Sequence, residues 1–181
     1  MTRFFKESVE DFRSVVDLLH SGELVALPTE TVYGLAGDAL RPNVVRKIFE
    51  VKMRPFIDPL IVHIANYGQV EEIAEPPREL DLLAESFWPG PLTVVLPKKA
   101  KVPDLVTAGL PSVGIRMPSH SYIRKVLQQS GLFLAAPSAN PFGYLSPTRA
   151  VHVTNSFGPK VPHIVDGGNC KHGIESTILG L

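Results

Sequence analysis

The sequence lacks most of the features that assign a function at first sight. Only one of its 181 residues is cysteine, which excludes an internal disulfide and any zinc site built from several cysteines. Lysine plus arginine and aspartate plus glutamate each number 18, which argues against a surface built entirely to bind nucleic acid or a membrane. The N-terminus becomes charged at once, and no apolar run approaches the roughly 20 residues of a membrane span. We therefore expect a cytoplasmic protein without a membrane segment.

Common catalytic and nucleotide-binding motifs are absent as well. The chain contains neither the G-x-x-x-x-G-K-[ST] phosphate-binding loop nor the G-x-G-x-x-G dinucleotide motif. It has no G-x-S-x-G nucleophile elbow, and its six histidines show no spacing typical of metal ligands. Any nucleotide site in this protein must therefore be built from other groups.

Short strands and helices alternate along the chain, with apolar residues making up 44% of it. The pattern predicts helices after Ser8 and at 42–52, 75–87, 119–129 and 146–156, and strands at 23–28, 60–64, 92–96, 113–117, 132–136, 163–165 and 176–179. Such alternation indicates an α/β fold with a mixed parallel and antiparallel sheet flanked by helices. We expect one domain covering residues 1–181.

The most informative segment is Pro28–Leu35, with the sequence PTETVYGL. It follows the apolar strand 24–27, and Pro28 cannot donate a ladder hydrogen bond, so regular pairing should stop there. Two threonines and a glutamate then stand just past the carboxyl end of a strand, where open α/β sheets bind ligands. We predict that this segment forms part of an active site.

Two cations stand one residue apart at the predicted end of a helix, Lys52 and Arg54. Positive charge at a helix C-terminus complements the helix dipole, which is the simpler interpretation. A clamp on a triphosphate is the alternative, because arginine binds phosphate oxygens in pairs and lysine adds a point charge. His63, inside an apolar run, allows either a core role or a catalytic one.

Further polar residues follow buried strands. A guanidinium at Arg116 needs an anionic partner, which is either a structural carboxylate or a ligand. Ser138, Asn140 and Ser146 are consistent with ordinary turns and a helix cap, or with donors to an anion at a helix N-terminus. Ser176 repeats the pattern before the last strand.

Seven short motifs occur in a fixed order along the chain. They are PTETVYGL at 28–35, K-x-R-P at 52–55, PLIVH at 59–63, WPGPLT at 88–93, VGIRMP at 113–118, PSAN at 137–140 and ESTI at 175–178. Over residues 8–180 this order resembles the YrdC-like family of L-threonylcarbamoyladenylate synthases. The resemblance implies a twisted mixed sheet of the YrdC/RibB type with a large concave, positively lined cavity.

The resemblance also implies an activity. Members of this family join L-threonine, bicarbonate and ATP into L-threonylcarbamoyl-AMP and release pyrophosphate, with Mg²⁺ expected on the triphosphate. A partner transferase complex then modifies adenosine 37 of tRNAs that read ANN codons, so contact with tRNA or double-stranded RNA is a further expectation.

By matching motif, the resemblance assigns residues to each substrate. Threonine would contact Thr31, His63, Arg116 and Ser176. ATP would contact Arg54, Asp58, Ser112, Ser138, Asn140 and Ser146. Lys52 and Arg54 would act as catalytic cations beside the phosphates. The cations would offset the repulsion between an anionic carbamate and the phosphates.

The chain departs from the family pattern at two positions and at its end. Met53 replaces a usual glycine, and Asp58 replaces a usual asparagine, so Asp58 is expected to hold Mg²⁺ or to pair with Arg54. The family continues beyond residue 181 with another strand and an arginine that reaches the nucleotide. We therefore expect this chain to lack the last segment of the family.

Two other functions remain open from the sequence. One is an RNA-binding module without catalytic activity, against which the zero net charge argues. The other is the carbamoyl-adenylate domain of hydrogenase maturation proteins. That domain belongs to longer chains with cysteine-rich zinc motifs, which this sequence does not match.

Overall fold

Nine strands form one mixed sheet in the computed structural model, which describes residues 2–6 and 8–181. The strands are β1 (Arg3–Phe5), β2 (Val25–Leu27), β3 (Gly34–Asp38), β4 (Ile61–His63), β5 (Leu92–Pro97), β6 (Ser112–Arg116), β7 (Leu134–Ala135), β8 (His163–Val165) and β9 (Thr177–Gly180). Their order across the sheet is β1-β8-β2-β3-β7-β4-β6-β5-β9. β1 and β2 each pair parallel to β8, as do β4 with β6 and β5 with β9, whereas the remaining neighbours are antiparallel. The predicted α/β class with a mixed sheet is confirmed.

Helices cover both faces of this sheet. They are α1 (Val9–Ser21), α2 (Pro42–Lys52), α3 (Val70–Ile73), α4 (Glu79–Phe87), α5 (Ser121–Ser130) and α6 (Ala150–Phe157), with 3-10 turns at Tyr67–Gln69 and Gly158–Lys160. α1 and α5 bury one apolar cluster against β2 and β7, and α2, α4 and α6 contribute to a second, larger one. Within the described part of the chain, no helix is both long enough and apolar enough to cross a membrane.

The first helix begins and ends where the sequence predicts. The Ser8 side chain accepts a hydrogen bond from the Asp11 amide at 3.2 Å, which satisfies one of the free N–H groups of the first turn. Gly22 ends the helix in the left-handed conformation, with φ of 83°.

Three predicted helix starts were wrong. α4 begins at Glu79 rather than at 75. α5 begins at Ser121 rather than at 119, and its N-cap is His120, whose Nδ1 accepts a hydrogen bond from the Tyr122 amide at 3.2 Å. α6 begins at Ala150, so Ser146 does not cap it. The carbonyl of Pro147 instead accepts from the Tyr33 amide at 2.8 Å, which ties this stretch to the segment Pro28–Leu35.

The sequence analysis also missed β1 and β3. β3 reads GLAGD and contains no β-branched residue, so its propensity for a strand is low. The packing explains its glycine at position 37, because a Cβ there would lie 2.7 Å from side-chain atoms of Leu24 and Val44. Close approach of α2 to the sheet therefore requires glycine at this point.

Candidate active site

Two cavities adjoin beside β4 and β6, where the sequence predicts one concave site. The inner cavity, of about 40 Å³, is lined by Thr29, Thr31, Val32, Gly34, Ile61, His63, Arg116, Ala136, Pro137, Ser138, Glu175 and Ser176. The outer cavity, of about 200 Å³, is lined by Arg54, Pro59, Leu60, Ile61, Pro137, Ser138, Glu175, Ser176 and Ile178. Five residues line both cavities, so a ligand in one would lie beside a ligand in the other: Ile61, Pro137, Ser138, Glu175 and Ser176.

The register of the parallel pair β4 and β6 places His63 directly beside Arg116. Both are the last residues of their strands, the position from which open α/β sheets bind ligands. Arg116 donates from Nη2 to Glu30 Oε1 at 2.6 Å and from Nε to the Gly90 carbonyl at 3.3 Å. Among the described residues the other terminal nitrogen, Nη1, donates no hydrogen bond, so it remains available to a ligand.

Glu30 is an anionic partner of Arg116, so the structure shows the structural carboxylate, one of the two alternatives left open by the sequence. Both side chains are 5% exposed, and the second carboxylate oxygen accepts from the His120 amide at 3.3 Å. Burial alone would raise the pKa of Glu30, but the attraction of Arg116 and the hydrogen bonds to the carboxylate lower it below the usual value. The pair is therefore charged at neutral pH and fixes the inner end of the site.

His63 lines the inner cavity with a neutral imidazole. The residue is 2% exposed, and its buried Nδ1 has no hydrogen-bond partner among the described residues. Burial and the neighbouring Arg116 lower the pKa of His63 to about 3, so the imidazole is neutral at physiological pH. The ring therefore adds no charge beside Arg116.

Thr31 faces the inner cavity from a turn that Thr29 organises. Thr29 Oγ1 accepts from the amides of Thr31 and Val32 at 3.1 and 3.2 Å and donates to the Val32 carbonyl at 2.6 Å. The two threonine hydroxyls lie 2.9 Å apart. Either hydroxyl can be the donor of this hydrogen bond. Thr31 is buried and lines the inner cavity, so its hydroxyl is within the reach of a ligand there.

Arg54 lines the outer cavity and is held by the turn that follows it. Its Nη2 lies 2.9 Å from Asp58 Oδ2 and 2.8 Å from the Pro59 carbonyl, and its Nε donates to the Asp58 carbonyl at 3.1 Å. Of the two expectations for Asp58, pairing with Arg54 is the one that the structure shows. The side chain of Arg54 is still 15% exposed, so it can reach a ligand in the outer cavity.

Lys52 points away from both cavities. Its side chain is buried, and Nζ donates to the carbonyls of Ser138 and Asn140, each at 2.5 Å. Burial, with repulsion from Arg54, lowers the pKa of Lys52 to about 7. Its assignment as a cation beside the phosphates stays a prediction.

Of the other predicted ATP contacts, Ser138 lines both cavities. Ser146 lines neither, but its Oγ donates to Oε1 of the cavity residue Glu175 at 2.5 Å. Ser112 is the first residue of β6, at the opposite end of the strand from Arg116. Asn140 is buried and donates to the Tyr144 carbonyl at 2.5 Å. Of the predicted threonine contacts, Ser176 lines both cavities, with its Oγ 2.8 Å from Thr93 Oγ1.

The sequence analysis did not assign Glu175 or the segment 167–173 to the site. Tyr33 donates from its hydroxyl to the Gly168 carbonyl at 2.8 Å and accepts from the Gly167 amide at 3.2 Å. Burial raises the pKa of Tyr33 to about 12. The amides of His172 and Gly173 donate to the carbonyls of residues 30 and 31, so this segment braces the threonine turn. Glycines at 167, 168 and 173 were the available signal of such a shaped loop.

Comparison with known proteins gives one family. The Sua5/YciO/YrdC model, described as "Telomere recombination", matches residues 17–181. Threonylcarbamoyl-AMP synthase of Pyrococcus abyssi (strain GE5 / Orsay) is 48% identical over 179 residues, covering 97% of this chain and 53% of the relative. Threonylcarbamoyl-AMP synthase of Bacillus subtilis (strain 168) is 48% identical over 164 residues, covering 90% of this chain and 47% of the relative.

A solved structure agrees closely with the fold. The crystal structure of P. abyssi Sua5 complexed with L-threonine matches 100% of this chain and 54% of that chain, with a TM-score of 0.95 and 46% identity. The chain thus spans about half the length of the curated relatives it matches.

Proposed function

The chain belongs to the Sua5/YciO/YrdC family, and we propose that it joins L-threonine, bicarbonate and ATP into L-threonylcarbamoyl-AMP with release of pyrophosphate. Two relatives at 48% identity carry the name threonylcarbamoyl-AMP synthase, and a structural relative at 46% identity was solved with L-threonine. The protein would therefore act as a nucleotidyltransferase.

One observation carries this proposal. A buried guanidinium and an unpartnered imidazole line an inner cavity that shares a wall with an outer cavity carrying a second guanidinium. Arg116 Nη1 would hold the threonine carboxylate, and the Thr31 oxygen would accept a hydrogen bond from the amine or hydroxyl. The neutral ring of His63 would lie beside the bound amino acid.

The chemistry joins the two cavities. The threonine amine attacks the carbon of bicarbonate, a carbamate N–C bond forms, and water leaves. A carbamate oxygen then attacks the α-phosphorus of ATP, and the bond to pyrophosphate breaks. Since both partners of the second step are anionic, holding them in line and offsetting their repulsion is the main task of the protein. The shared wall of Ser138 and Ser176 is the place where they would meet.

We assign ATP to the outer cavity, where Arg54 and Ser138 would contact its phosphates. Ser146 would act indirectly, through its hydrogen bond to Glu175 in the wall of that cavity. Asp58 would act through Arg54, which it orients. Ser112 and Asn140 line neither cavity among the described residues, so we leave them out of the proposed direct contacts.

The two cavities offer few side chains that could bind Mg²⁺. Glu175 is the one carboxylate among the described residues lining the two cavities, and no group of three metal-ligating side chains occurs there. The ion would be held by triphosphate oxygens and Glu175, as is usual for Mg²⁺ with nucleotides. When bound, it would neutralise charge on the phosphates.

The proposed product would be consumed by a transferase that modifies adenosine 37 of tRNAs reading ANN codons. We therefore place the reaction in the cytoplasm and propose a downstream transferase complex as partner. Contact of this chain with tRNA itself is a weaker expectation, because the protein carries no net charge.

The test measures pyrophosphate release and, by mass spectrometry, the adenylate product. We expect both to require ATP, bicarbonate and L-threonine together. Controls omit each substrate in turn, and a further control replaces threonine and bicarbonate with carbamoyl phosphate. Turnover that needs carbamoyl phosphate, and not threonine, would assign the chain to carbamoyl-adenylate chemistry and contradict the proposal.

A further inference from the structure

Lys52 is a buried cation that contacts the backbone of the site and lines neither cavity. It is the last residue of α2 and is 1% exposed. Nζ lies 2.5 Å from the carbonyl oxygens of both Ser138 and Asn140, and the carbonyl of Lys52 accepts from the Phe142 amide at 2.9 Å. The segment 138–142 is therefore attached to the end of α2 at three points.

This anchored segment is also joined to the threonine turn. The Ala139 amide donates to the Tyr33 carbonyl at 2.7 Å, and Ser138 forms an antiparallel bridge with Gly34. The carbonyl oxygens of Ser138 and Asn140 both lie 2.5 Å from Lys52 Nζ, so they converge on one point. Converging carbonyl oxygens repel one another, and a buried ammonium between them offsets that repulsion.

Lys52 and Arg54 are separated by one residue but point in different directions. Met53 between them adopts the left-handed conformation, with φ of 52°, and ends α2. Lys52 lies on the buried face of α2, one turn after Ile48 and Phe49, and so points inward to the segment 138–142. The reversal at Met53 leaves Arg54 against the outer cavity. Proximity in sequence therefore does not imply a shared role.

We propose that Lys52 is a positioning residue: its ammonium holds the carbonyls of Ser138 and Asn140 and so places Ser138 on the shared wall of the two cavities. The consequence for ATP rests on the proposed function, whereas the anchoring does not. A direct phosphate ligand would instead have its ammonium free toward the outer cavity.

The primary test uses the ligand-free protein, so it does not depend on any activity. Lys52→Met keeps the side-chain length and removes the charge. We expect hydrogen exchange of the Ala139, Asn140 and Phe142 amides to rise by at least about tenfold, with little change in β5. Lys47→Met is the matched control, because Lys47 lies on the same helix and also bonds a backbone carbonyl, that of Gly22 at 3.0 Å.

Unchanged exchange in the segment 138–142 would overturn the proposal, and so would an equal rise throughout the sheet, which would mean a general structural role. If Lys52→Met does not fold, Lys52→Ala with added propylammonium replaces it. The small cation should then restore protection of the segment, whereas propanol of similar size should not. Restoration by both, or by neither, would contradict the need for a positive charge.

A second measurement connects the anchoring to the substrates. We expect Lys52→Met to weaken ATP binding by about tenfold and to change L-threonine binding by less than about twofold. In the double variant with Ser138→Ala, ATP binding should be no weaker than in Lys52→Met alone, because both changes act through one contact. Additive losses would indicate that Lys52 contacts ATP by itself. Absence of any ATP binding would count against the proposed function and leave the exchange result standing.

Discussion

The inner and outer cavities differ in how far their charges are already paired within the protein. In the inner cavity, Arg116 and Glu30 form an ion pair with both side chains 5% exposed, beside a neutral His63. In the outer cavity, Arg54 is 15% exposed and its partner Asp58 is 38% exposed. The ion pair of the inner cavity is therefore shielded from water before a ligand arrives, whereas the outer cavity leaves its cation in partial contact with solvent.

This difference suits ligands of different kinds. A small zwitterion gains most from polar groups that are fixed in advance, because the protein then loses little entropy on binding. A polyanion gains more from exposed cations, which attract it over a distance. This difference therefore agrees with the proposed assignment of threonine to the inner cavity and ATP to the outer one.

Breaking the inner ion pair should have the largest effect on stability. Glu30→Ala leaves a buried guanidinium without its partner, which typically costs about 3–5 kcal/mol. Glu72→Ala is the matched control, because its ion pair with Lys101 is exposed and should contribute less than about 1 kcal/mol. Urea unfolding measures both. Similar losses in the two variants would show that the inner pair is not specially buried.

Removing the outer cation should affect the reaction far more than the fold. We expect Arg54→Ala to lower kcat/KM for ATP by about 10²–10³-fold, as loss of a single charge-stabilising group does in other enzymes. Its melting temperature should stay near that of the wild type. Arg46→Ala, an exposed arginine on α2 outside both cavities, is the control and should leave kcat/KM unchanged. A comparable loss in the control would indicate that only general surface charge matters.

Acid should remove the stabilisation that the ion pair of the inner cavity provides. The pKa of Glu30 in the folded protein lies below its ordinary value of 4.5. The stabilisation by its carboxylate is therefore fully present above that value and is lost as the pH falls through the folded pKa. Unfolding free energies measured from pH 6 downward should fall less steeply in Glu30→Gln. If the unfolding free energy falls equally steeply with pH in the wild type and in Glu30→Gln, the Glu30 carboxylate is not the cause of the loss.

Met53→Gly should have the smallest effect of these changes, and it should stabilise the protein rather than destabilise it. The left-handed conformation at φ of 52° costs a non-glycine residue about 1–2 kcal/mol, part of which is offset by the greater freedom of glycine in the unfolded chain. We expect a gain of about 0.5–1 kcal/mol in the free energy of unfolding. Glu50→Gly, within α2, should instead lose about 1 kcal/mol. A loss at position 53 would mean that the Met53 side chain contributes contacts of its own.

Sequence reasoning predicted the fold class and most elements because apolar periodicity is strong in α1, α2, β5 and β6. It missed β3, whose Gly37 is required by packing against α2 and gives no local signal. The helix expected from Ser146 failed for a similar reason, since hydrogen bonds to Tyr33 and Glu175, distant in sequence, override the capping signal.

The site shows the same limit. Motif order identified Thr31, His63, Arg116, Arg54 and Ser138, all of which line a cavity. It could not show what the Lys52 ammonium contacts, because the segment 138–142 is distant in sequence, although the spacing from Ile48 and Phe49 places Lys52 on the buried face of α2. Nor could it pair Arg116 with Glu30, which lies 86 residues away in the chain.

The division of the site into two cavities is tested most directly by isothermal titration of each substrate alone. We expect Arg54→Ala to weaken ATP binding by at least about tenfold and to leave L-threonine binding within about twofold of the wild type. Thr31→Val should show the reverse pattern. If Arg54→Ala abolishes threonine binding, or if Thr31→Val weakens both substrates equally, the two cavities do not separate the two substrates.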